Sequence, residues 1–188
     1  MERNANPGRH VMPQLLTISG SLRTGSTNST LLAAVARVAP NSIEVTSYAE
    51  LAALPAFSPD LDENTASAPP AVARWRAALA AADAVLFSSP EYAHGIPGAF
   101  KNALDWVVGS GELVDKRVGL LSPSAVSHYA HPQIVEVLTT MSAVVVSRAT
   151  VVIDLPRRGV EVDRLARDPA VASVLRGVIF ELFDPSAT

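Results

Sequence analysis

The sequence contains no cysteine, which excludes disulfides, thiolate chemistry and cysteine-based metal sites. It also lacks a surplus of positive charge: 15 Lys and Arg stand against 18 Asp and Glu, and the net charge is −3. We therefore expect no nucleic-acid partner. The longest apolar runs, such as residues 143–146, are too short to cross a bilayer, and residues 1–12 lack the apolar stretch of a signal peptide. These absences predict a cytoplasmic protein without a membrane partner.

The length and composition predict one folded domain. The chain has 188 residues, of which 48% are hydrophobic, and this suffices for one substantial core. Residues 1–12 are polar and rich in Arg, Asn, Pro and Gly, so we expect a disordered N-terminal tail there. The domain should then occupy residues 13–183.

Short aliphatic or β-branched segments alternate with longer segments of helical periodicity. Strands are predicted at residues 15–19, 43–47, 83–88, 117–121 and 144–153, the last with a break near Arg148. Helices are predicted at residues 29–39, 71–82, 97–108, 132–141 and 168–183, and Pro97 is expected at the first helical position. This alternation indicates an α/β fold whose parallel sheet is covered by helices on both faces. Five strands suit the order 2-1-3-4-5, which places a ligand where the strand order reverses. A Pro-rich loop at residues 55–70 should lie on the surface.

The loop after the first strand is dense in hydroxyl groups and carries one arginine. It contains Ser21, Arg23, Ser26, Thr27 and Asn28, and it leads into the first helix. Backbone N–H groups at a helix N-terminus, the helix dipole and a guanidinium all favour an anion such as a phosphate monoester. Neither the P-loop pattern nor the dinucleotide pattern of glycines is present. The alternative is that these residues only form a turn and a helix cap.

The loop after the third strand contains two prolines and two glycines within ten residues, which indicates an unusual backbone path. Its aromatic residue could lie beside a flat ring, and its backbone amides could bond to polar atoms at the edge of that ring. The residues concerned are Pro90, Glu91, Tyr92, Ala93, His94 and Gly95. His94 is by default an exposed loop residue, although it could also donate a proton to a substrate near neutral pH.

Two motifs together resemble the NAD(P)H-dependent FMN reductase family, which also includes quinone, chromate and azo reductases. They are Gly20-Ser-Leu-Arg…Ser26-x-Asn28 and Pro90-Glu-Tyr…Gly95-Ile-Pro-Gly…Lys101-Asn-Ala-Leu-Asp-Trp106, and the resemblance covers roughly residues 14–180. It implies a flavodoxin-like three-layer sandwich that binds FMN. The phosphate would contact Ser21, Arg23, Ser26 and Asn28, with Thr27 beside them, and the isoalloxazine would lie along residues 90–95. The family commonly has Asn and Ser where this chain has Ala93, His94 and Gly95, so contacts at Ala93 should come from the backbone.

The loop after the fourth strand, residues 122–131, departs from the resemblance. Family members often have a glycine-rich stretch here, and this chain has none. Ser122, Ser124 and Ser127 could donate to the ribityl chain or to the pyrimidine edge, and the alternative is an ordinary polar loop. His128 and His131 have no third ligand nearby at a suitable spacing, so we expect no metal site.

The resemblance implies an oxidoreductase in which NADPH or NADH passes a hydride to the flavin N5, and a small-molecule electron acceptor then takes the same place. No catalytic side chain is then required, because the cofactor performs the chemistry. The resemblance also implies a homodimer or homotetramer, for which helix three offers Phe100, Leu104, Trp106 and Val107, although each of these could instead be core. Two other functions stay open: a flavodoxin-like electron carrier, and a non-catalytic flavin-binding or sensing protein.

Overall fold

The five strands form one parallel sheet in the predicted order. A computed structural model of the chain describes residues 12–62, 68–125, 128–156 and 158–186. The strands are β1 (Gln14–Ser19), β2 (Glu44–Tyr48), β3 (Ala84–Ser88), β4 (Arg117–Ser122) and β5 (Val144–Val152). Their order is β2-β1-β3-β4-β5, and each neighbouring pair is parallel. The predicted α/β, flavodoxin-like architecture is confirmed.

Six α-helices cover the two faces of the sheet within the described residues. They are α1 (Thr27–Val38), α2 (Pro70–Ala81), α3 (Gly98–Asp105), α4 (Ala130–Thr140), α5 (Val162–Arg167) and α6 (Pro169–Phe183). Helices α2, α3 and α4 pack on one face around Trp75, Phe100 and Leu138. Helices α1, α5 and α6 pack on the other face around Leu31, Leu165 and Leu175. Each face therefore buries its own apolar cluster, as a doubly covered parallel sheet requires. None of the described helices is long and apolar enough to cross a membrane.

Several boundaries differ from the sequence prediction for identifiable reasons. Helix α5 was not predicted, because six residues are too few to show a helical period. Helix α3 begins at Gly98, so Pro97 is the N-cap rather than the first helical residue, and the helix ends at Asp105 instead of Val108. Helix α6 begins one residue later than predicted, and Asp168 is its N-cap, since Asp168 Oδ1 accepts from the N–H groups of Ala170 and Val171. Residues 1–11 of the predicted tail lie outside the described residues.

Strand β5 has the interruption that was expected near Arg148. Val118 pairs with Val145, but Leu120 pairs with Thr150, so four residues of β5, 146–149, lie opposite the single β4 residue at position 119. Gly119 lies opposite this bulge, and a Cβ at that position would be 2.7 Å from the carbonyl oxygen of Ala149. The close approach of the two backbones therefore requires glycine at residue 119.

The Lys101–Trp106 segment, which ends the second motif, holds the Pro-rich loop onto the core. Asn102 Oδ1 accepts from the Phe57 N–H at 2.8 Å, and its Nδ2 donates to the Pro55 carbonyl at 2.9 Å. Trp106 Nε1 donates to the same carbonyl at 2.8 Å, and its ring packs edge-on against Phe57. The loop is thus anchored at its start, where we had expected only surface. The four helix-three side chains considered for a subunit contact are buried in this core: Phe100, Leu104, Trp106 and Val107.

Candidate functional site

A cavity of about 460 Å³ lies at the carboxyl edge of the sheet, where the loops after β1, β3, β4 and β5 meet. This is the position at which open parallel sheets bind ligands, because the strand order reverses between β1 and β3. The volume lies within the range of small-molecule sites. The cavity is lined by Ser21, Arg23, Ser26, Thr27, Asn28, Ser89, Pro90, Glu91, Tyr92, Ser122, Pro123, Ser124 and Leu155.

The β1–α1 loop is held together by its own hydroxyl groups. Ser26 caps helix α1, since its Oγ accepts from the Ser29 N–H at 3.1 Å. Ser29 Oγ donates to Ser19 Oγ at 3.1 Å, and Ser19 Oγ accepts from the Ser21 N–H at 3.2 Å. Ser21 Oγ in turn accepts from the Arg23 N–H at 3.3 Å. A continuous network of short-range hydrogen bonds therefore fixes the loop before any ligand binds.

Arg23 supplies the positive charge of this loop. Its side chain is exposed and lines the cavity, and within the described part of the chain it forms no ion pair with an acidic side chain. The first turn of α1, at Ser26, Thr27 and Asn28, lines the same end of the cavity. A guanidinium beside a helix N-terminus makes this end of the cavity favourable for an anion.

The β1–α1 and β3–α3 loops contact each other directly. The Gly20 N–H donates to the Ser88 carbonyl at 2.8 Å, and Ser88 Oγ donates to Asn28 Oδ1 at 2.9 Å. A Cβ at Gly20 would be 2.5 Å from Ser89 Oγ and 3.1 Å from Phe100 Cδ1. The absence of a side chain at residue 20 therefore lets the two loops approach each other. Asn28, predicted to contact phosphate, also joins α1 to β3.

The β3–α3 loop makes a tight turn at residues 92–95. The Tyr92 N–H donates to the Gly95 carbonyl at 3.1 Å, and the Gly95 N–H donates to the Tyr92 carbonyl at 2.9 Å. The two central residues, Ala93 and His94, have φ values of 49° and 58°, which is the left-handed region. The amides of Tyr92 and Gly95 are thus bonded within the turn, whereas the sequence predicts that the amides of this loop bond to the edge of a bound ring.

Glu91 connects this loop to helix α4. Its Oε2 accepts from the Tyr129 N–H at 2.8 Å and from the Ala130 N–H at 2.9 Å. A carboxylate at a helix N-terminus satisfies unpaired N–H groups and interacts favourably with the helix dipole. The carboxylate of Glu91 is therefore part of the scaffold of the cavity wall.

His131 lies in the same first turn of α4. Burial lowers the pKa of His131, so the neutral imidazole is favoured beside the positive end of the helix dipole.

The ends of β4 and β5 close the cavity on the other side. Ser122 Oγ donates to the Ser124 carbonyl at 2.9 Å, and the Leu155 N–H donates to the Pro123 carbonyl at 3.1 Å. The Ala125 N–H reaches Asp154 Oδ1 at 3.3 Å. These bonds hold the two segments side by side without the glycines that the resemblance had suggested. Ser127 lies outside the described residues.

Most of the predicted cofactor-binding residues line the cavity. The exceptions are Ala93, His94 and Gly95, which belong to the turn after Tyr92 and do not line the cavity. Three lining residues were not among the predicted ones: Ser89, Pro123 and Leu155. Ser89 and Pro123 directly follow buried strands, and this position alone could have indicated that they line the cavity. Leu155 lines the cavity because β5 pairs with β4. The sequence predicts this strand order, but it does not predict which side chain after β5 reaches the cavity.

The chain is similar to known proteins over its N-terminal three-quarters. The family model described as NADPH-dependent FMN reductase matches residues 13–156. A probable NADPH:quinone oxidoreductase 2 of Oryza sativa is 42% identical over 95 residues, which cover 50% of this chain and 46% of that protein. An NAD(P)H-dependent FMN reductase of Pseudomonas aeruginosa is 40% identical over 93 residues, covering 50% and 49% of the two chains. A quinone reductase of Escherichia coli is 34% identical over 94 residues, covering 50% of each chain. The chain thus spans about half the length of the curated relatives it matches.

Solved structures share the fold over nearly the whole chain. The flavoenzyme NAD(P)H:(acceptor) oxidoreductase FerB from Paracoccus denitrificans has a TM-score of 0.69 at 23% identity, and the match covers 90% of this chain and 94% of that one. An azoreductase from Bacillus anthracis has a TM-score of 0.58 at 18% identity, covering 91% and 97%. At such identities the similarity establishes the flavodoxin-like fold.

Proposed function

This chain belongs to the NADPH-dependent FMN reductase family, and we propose that it is an FMN-dependent oxidoreductase that transfers a hydride from NADPH or NADH to a small acceptor such as a flavin or a quinone. One observation carries the proposal: Arg23 beside a helix N-terminus and the apolar side chains of Pro90, Tyr92 and Leu155 line one cavity at the switch point of the sheet. A phosphorylated planar ligand requires both features.

The residues at one end of the cavity fit the phosphate of FMN. Arg23 offers a guanidinium that no described acidic side chain pairs, and the dipole of α1 adds partial positive charge. Ser21 and Ser26 are buried at this end, and their hydroxyls are already positioned by the loop network. Because the donors are positioned in advance, binding needs little ordering of the protein.

The residues at the other end fit a planar ring. Pro90, Tyr92 and Leu155 offer apolar surface, while the neighbouring Ser122 and Ser124 offer polar groups at an edge. FMN, when bound, supplies the acceptance and release of the hydride. The side chains of this chain then have three tasks: to hold the phosphate, to fix the plane of the ring and to leave one face open for the partner molecule. We assign no general acid, base or nucleophile.

The visible spectrum of the purified protein, with FMN supplied and excess removed, tests this function. We expect flavin absorbance that remains with the protein after the excess FMN is removed, and that decreases when NADPH or NADH is added without oxygen. Continuous NADPH oxidation should follow when menadione is present. A protein that holds FMN but oxidises no NAD(P)H would instead be an electron carrier, and one that binds no FMN would be a sensing or assembly protein. Either result would overturn the proposal.

We also propose a homodimer or homotetramer, with a contact different from the one considered on helix α3. Exposed apolar side chains occur on two neighbouring segments: Leu61, Val108 and Val114. Arg76 brings these segments together, because its guanidinium pairs with Asp62 at 2.6 Å and with Glu112 at 3.9 Å. Exposed apolar surface beside an ordered polar cluster is typical of subunit contacts. Light scattering after gel filtration should give at least twice the monomer mass, and Val108→Asp should lower it; a monomeric parent protein would contradict the proposal.

We place the enzyme in the cytoplasm, because the proposed reaction draws on NAD(P)H and the chain has no cysteine that an oxidising compartment could use. Cell fractionation followed by immunodetection should recover the protein with soluble cytoplasmic markers. Recovery with a secreted or membrane fraction would contradict this location.

A further inference from the structure

Two aromatic rings are stacked close to the cavity-lining residues Glu91 and Tyr92, and neither of the two lines the cavity itself. The rings of His94 and Tyr129 have centroids 4.2 Å apart and an interplanar angle of 22°. Both side chains are exposed, Tyr129 to 50%. Exposed aromatic side chains lose contact with water when a flat ligand covers them, so an ordered exposed pair is a potential binding surface.

The His94 ring is held from its backbone. The turn formed by Tyr92 and Gly95 is closed by two hydrogen bonds, and His94 adopts a left-handed conformation within it. Gln133 Nε2 donates to the His94 carbonyl at 3.1 Å, which ties the turn to helix α4. Left-handed backbone at residues other than glycine persists where the surroundings determine it, and such positions cluster at functional sites.

The backbone of Tyr129 is held by the β3–α3 loop. Tyr129 is the N-cap residue of α4, and its N–H donates to Glu91 Oε2 at 2.8 Å. Glu91 and Tyr92 both line the cavity. Each stacked ring is therefore connected to a cavity-lining residue: Tyr129 by a hydrogen bond to Glu91, and His94 by its place in the turn after Tyr92.

We propose that His94 and Tyr129 form a stacking ledge that binds a planar aromatic ring beside the flavin cavity. The inference rests on the proposed function for its biological role. Two molecules in that reaction carry a suitable ring: the acceptor, and the adenine of the hydride donor. The ledge would then select acceptors by their planar area, or hold the far end of the dinucleotide. Because hydrogen bonds fix the backbones that carry both rings and the rings stack on each other, little conformational entropy opposes the contact.

Calorimetric titration of the oxidised, FMN-loaded protein tests the ledge without turnover. The probes are anthraquinone-2-sulfonate for the acceptor and AMP for the adenine. The variants are Tyr129→Leu, which removes the ring but keeps the N–H to Glu91, and His94→Asn, which removes the ring but tolerates the left-handed backbone. Tyr129→Phe keeps an aromatic ring, and Phe180→Leu removes an exposed ring on α6. Each ledge variant should weaken binding of one probe by about three- to tenfold, while both controls retain it.

The probe that loses affinity identifies the ligand of the ledge. If anthraquinone-2-sulfonate weakens, the Michaelis constant for menadione should rise in the variants and that for ferricyanide, which has no ring, should not. If AMP weakens, the constant for NADPH should rise and that for reduced nicotinamide mononucleotide should not. Unchanged affinity of both probes in both ledge variants overturns the inference. Failure of the parent protein to oxidise NAD(P)H would count against the proposed function alone, since the titrations do not depend on turnover.

Discussion

The two loops that supply most of the candidate cofactor contacts are held in place in different ways. The β1–α1 loop is fixed mostly by hydrogen bonds among residues 19–29, and the bonds of Gly20 and Asn28 to Ser88 add to these. The β3–α3 loop closes its own turn between Tyr92 and Gly95, but it is attached to helix α4 from outside, because Glu91 bonds to the start of α4 and Gln133 bonds to the His94 carbonyl. The conformation of a loop that is held by its own side chains can be predicted from its sequence, whereas the conformation of a loop that is held by distant residues cannot.

The same difference separates the two charged residues of the cavity wall. Arg23 has no described acidic partner, so its charge is available to a ligand. The Glu91 carboxylate bonds to two backbone N–H groups of the fold. A motif residue that lines a cavity can therefore serve the ligand or the scaffold, and only its hydrogen-bond partners distinguish these roles.

Removal of Arg23 should have the largest effect on cofactor binding. A charge-assisted hydrogen bond is worth about 1.5–3 kcal/mol, so Arg23→Ala should weaken FMN binding on the order of tenfold to a hundredfold. Fluorescence titration of apoprotein with FMN measures this. Glu91→Gln keeps an oxygen that can accept from α4 and should leave the affinity within about threefold. Arg176→Ala, on the exposed face of α6, is the control for loss of one positive charge. If Arg23→Ala and Glu91→Gln weakened FMN binding equally, the different roles assigned to Arg23 and Glu91 would be contradicted.

A side chain at Gly20 should disturb the contact between the two loops. The new Cβ would meet Ser89 Oγ at 2.5 Å and Ser89 Cβ at 3.0 Å, so Gly20→Ala should reduce the free energy of unfolding by about 1–3 kcal/mol. Adding Ser89→Gly removes both atoms and should recover part of the loss. Urea denaturation of the two single variants and the double variant measures the coupling. Strict additivity of the two changes would show that the loops do not depend on this contact.

The sequence was sufficient for the sheet because each strand is a short aliphatic run between helical segments. The order β2-β1-β3-β4-β5 follows from that alternation and from the family resemblance. Helix α5 could not be predicted, since only Leu165 marks its buried side among six residues. The α3 boundary was wrong by three residues at its C-terminal end, because the chain after Asp105 continues in turns whose buried apolar side chains, Trp106 and Val107, prolong the apolar pattern of the helix.

The candidate site was predictable where a motif acts through its own side chains. Arg23 and Ser26 line the cavity, and they belong to a loop whose conformation is set mostly by its own hydroxyl groups. The turn at Ala93 and His94 was not predictable, since neither residue is the glycine or asparagine that a left-handed position favours. The role of Glu91 as a cap of α4 depends on contacts 38 and 39 residues away in sequence, which no local pattern encodes.

Asn102 should matter for stability and little for the cofactor, although it belongs to the same motif as the β3–α3 loop. Asn102→Ala removes the hydrogen bonds to Phe57 and Pro55, and the loss should reduce the free energy of unfolding by about 1–2 kcal/mol. The affinity for FMN should stay within about twofold, because Asn102 does not line the cavity. Paired measurements of urea midpoint and FMN titration test this. A large loss of affinity with unchanged stability would reverse the assignment.

The smallest expected effect concerns Ala93, where the β3–α3 loop departs from its most favourable sequence. A left-handed backbone costs an L-residue roughly 1–2 kcal/mol, and glycine adopts it freely but loses more entropy on folding. Ala93→Gly, at φ 49°, should therefore stabilise the protein by about 0.5 kcal/mol. Ala33→Gly, at an exposed position inside α1, is the matched control and should destabilise by about 0.5–1 kcal/mol. If both substitutions destabilise equally, the turn does not hold Ala93 in the left-handed region in solution. The external contacts of the loop would then be weaker than its hydrogen bonds suggest.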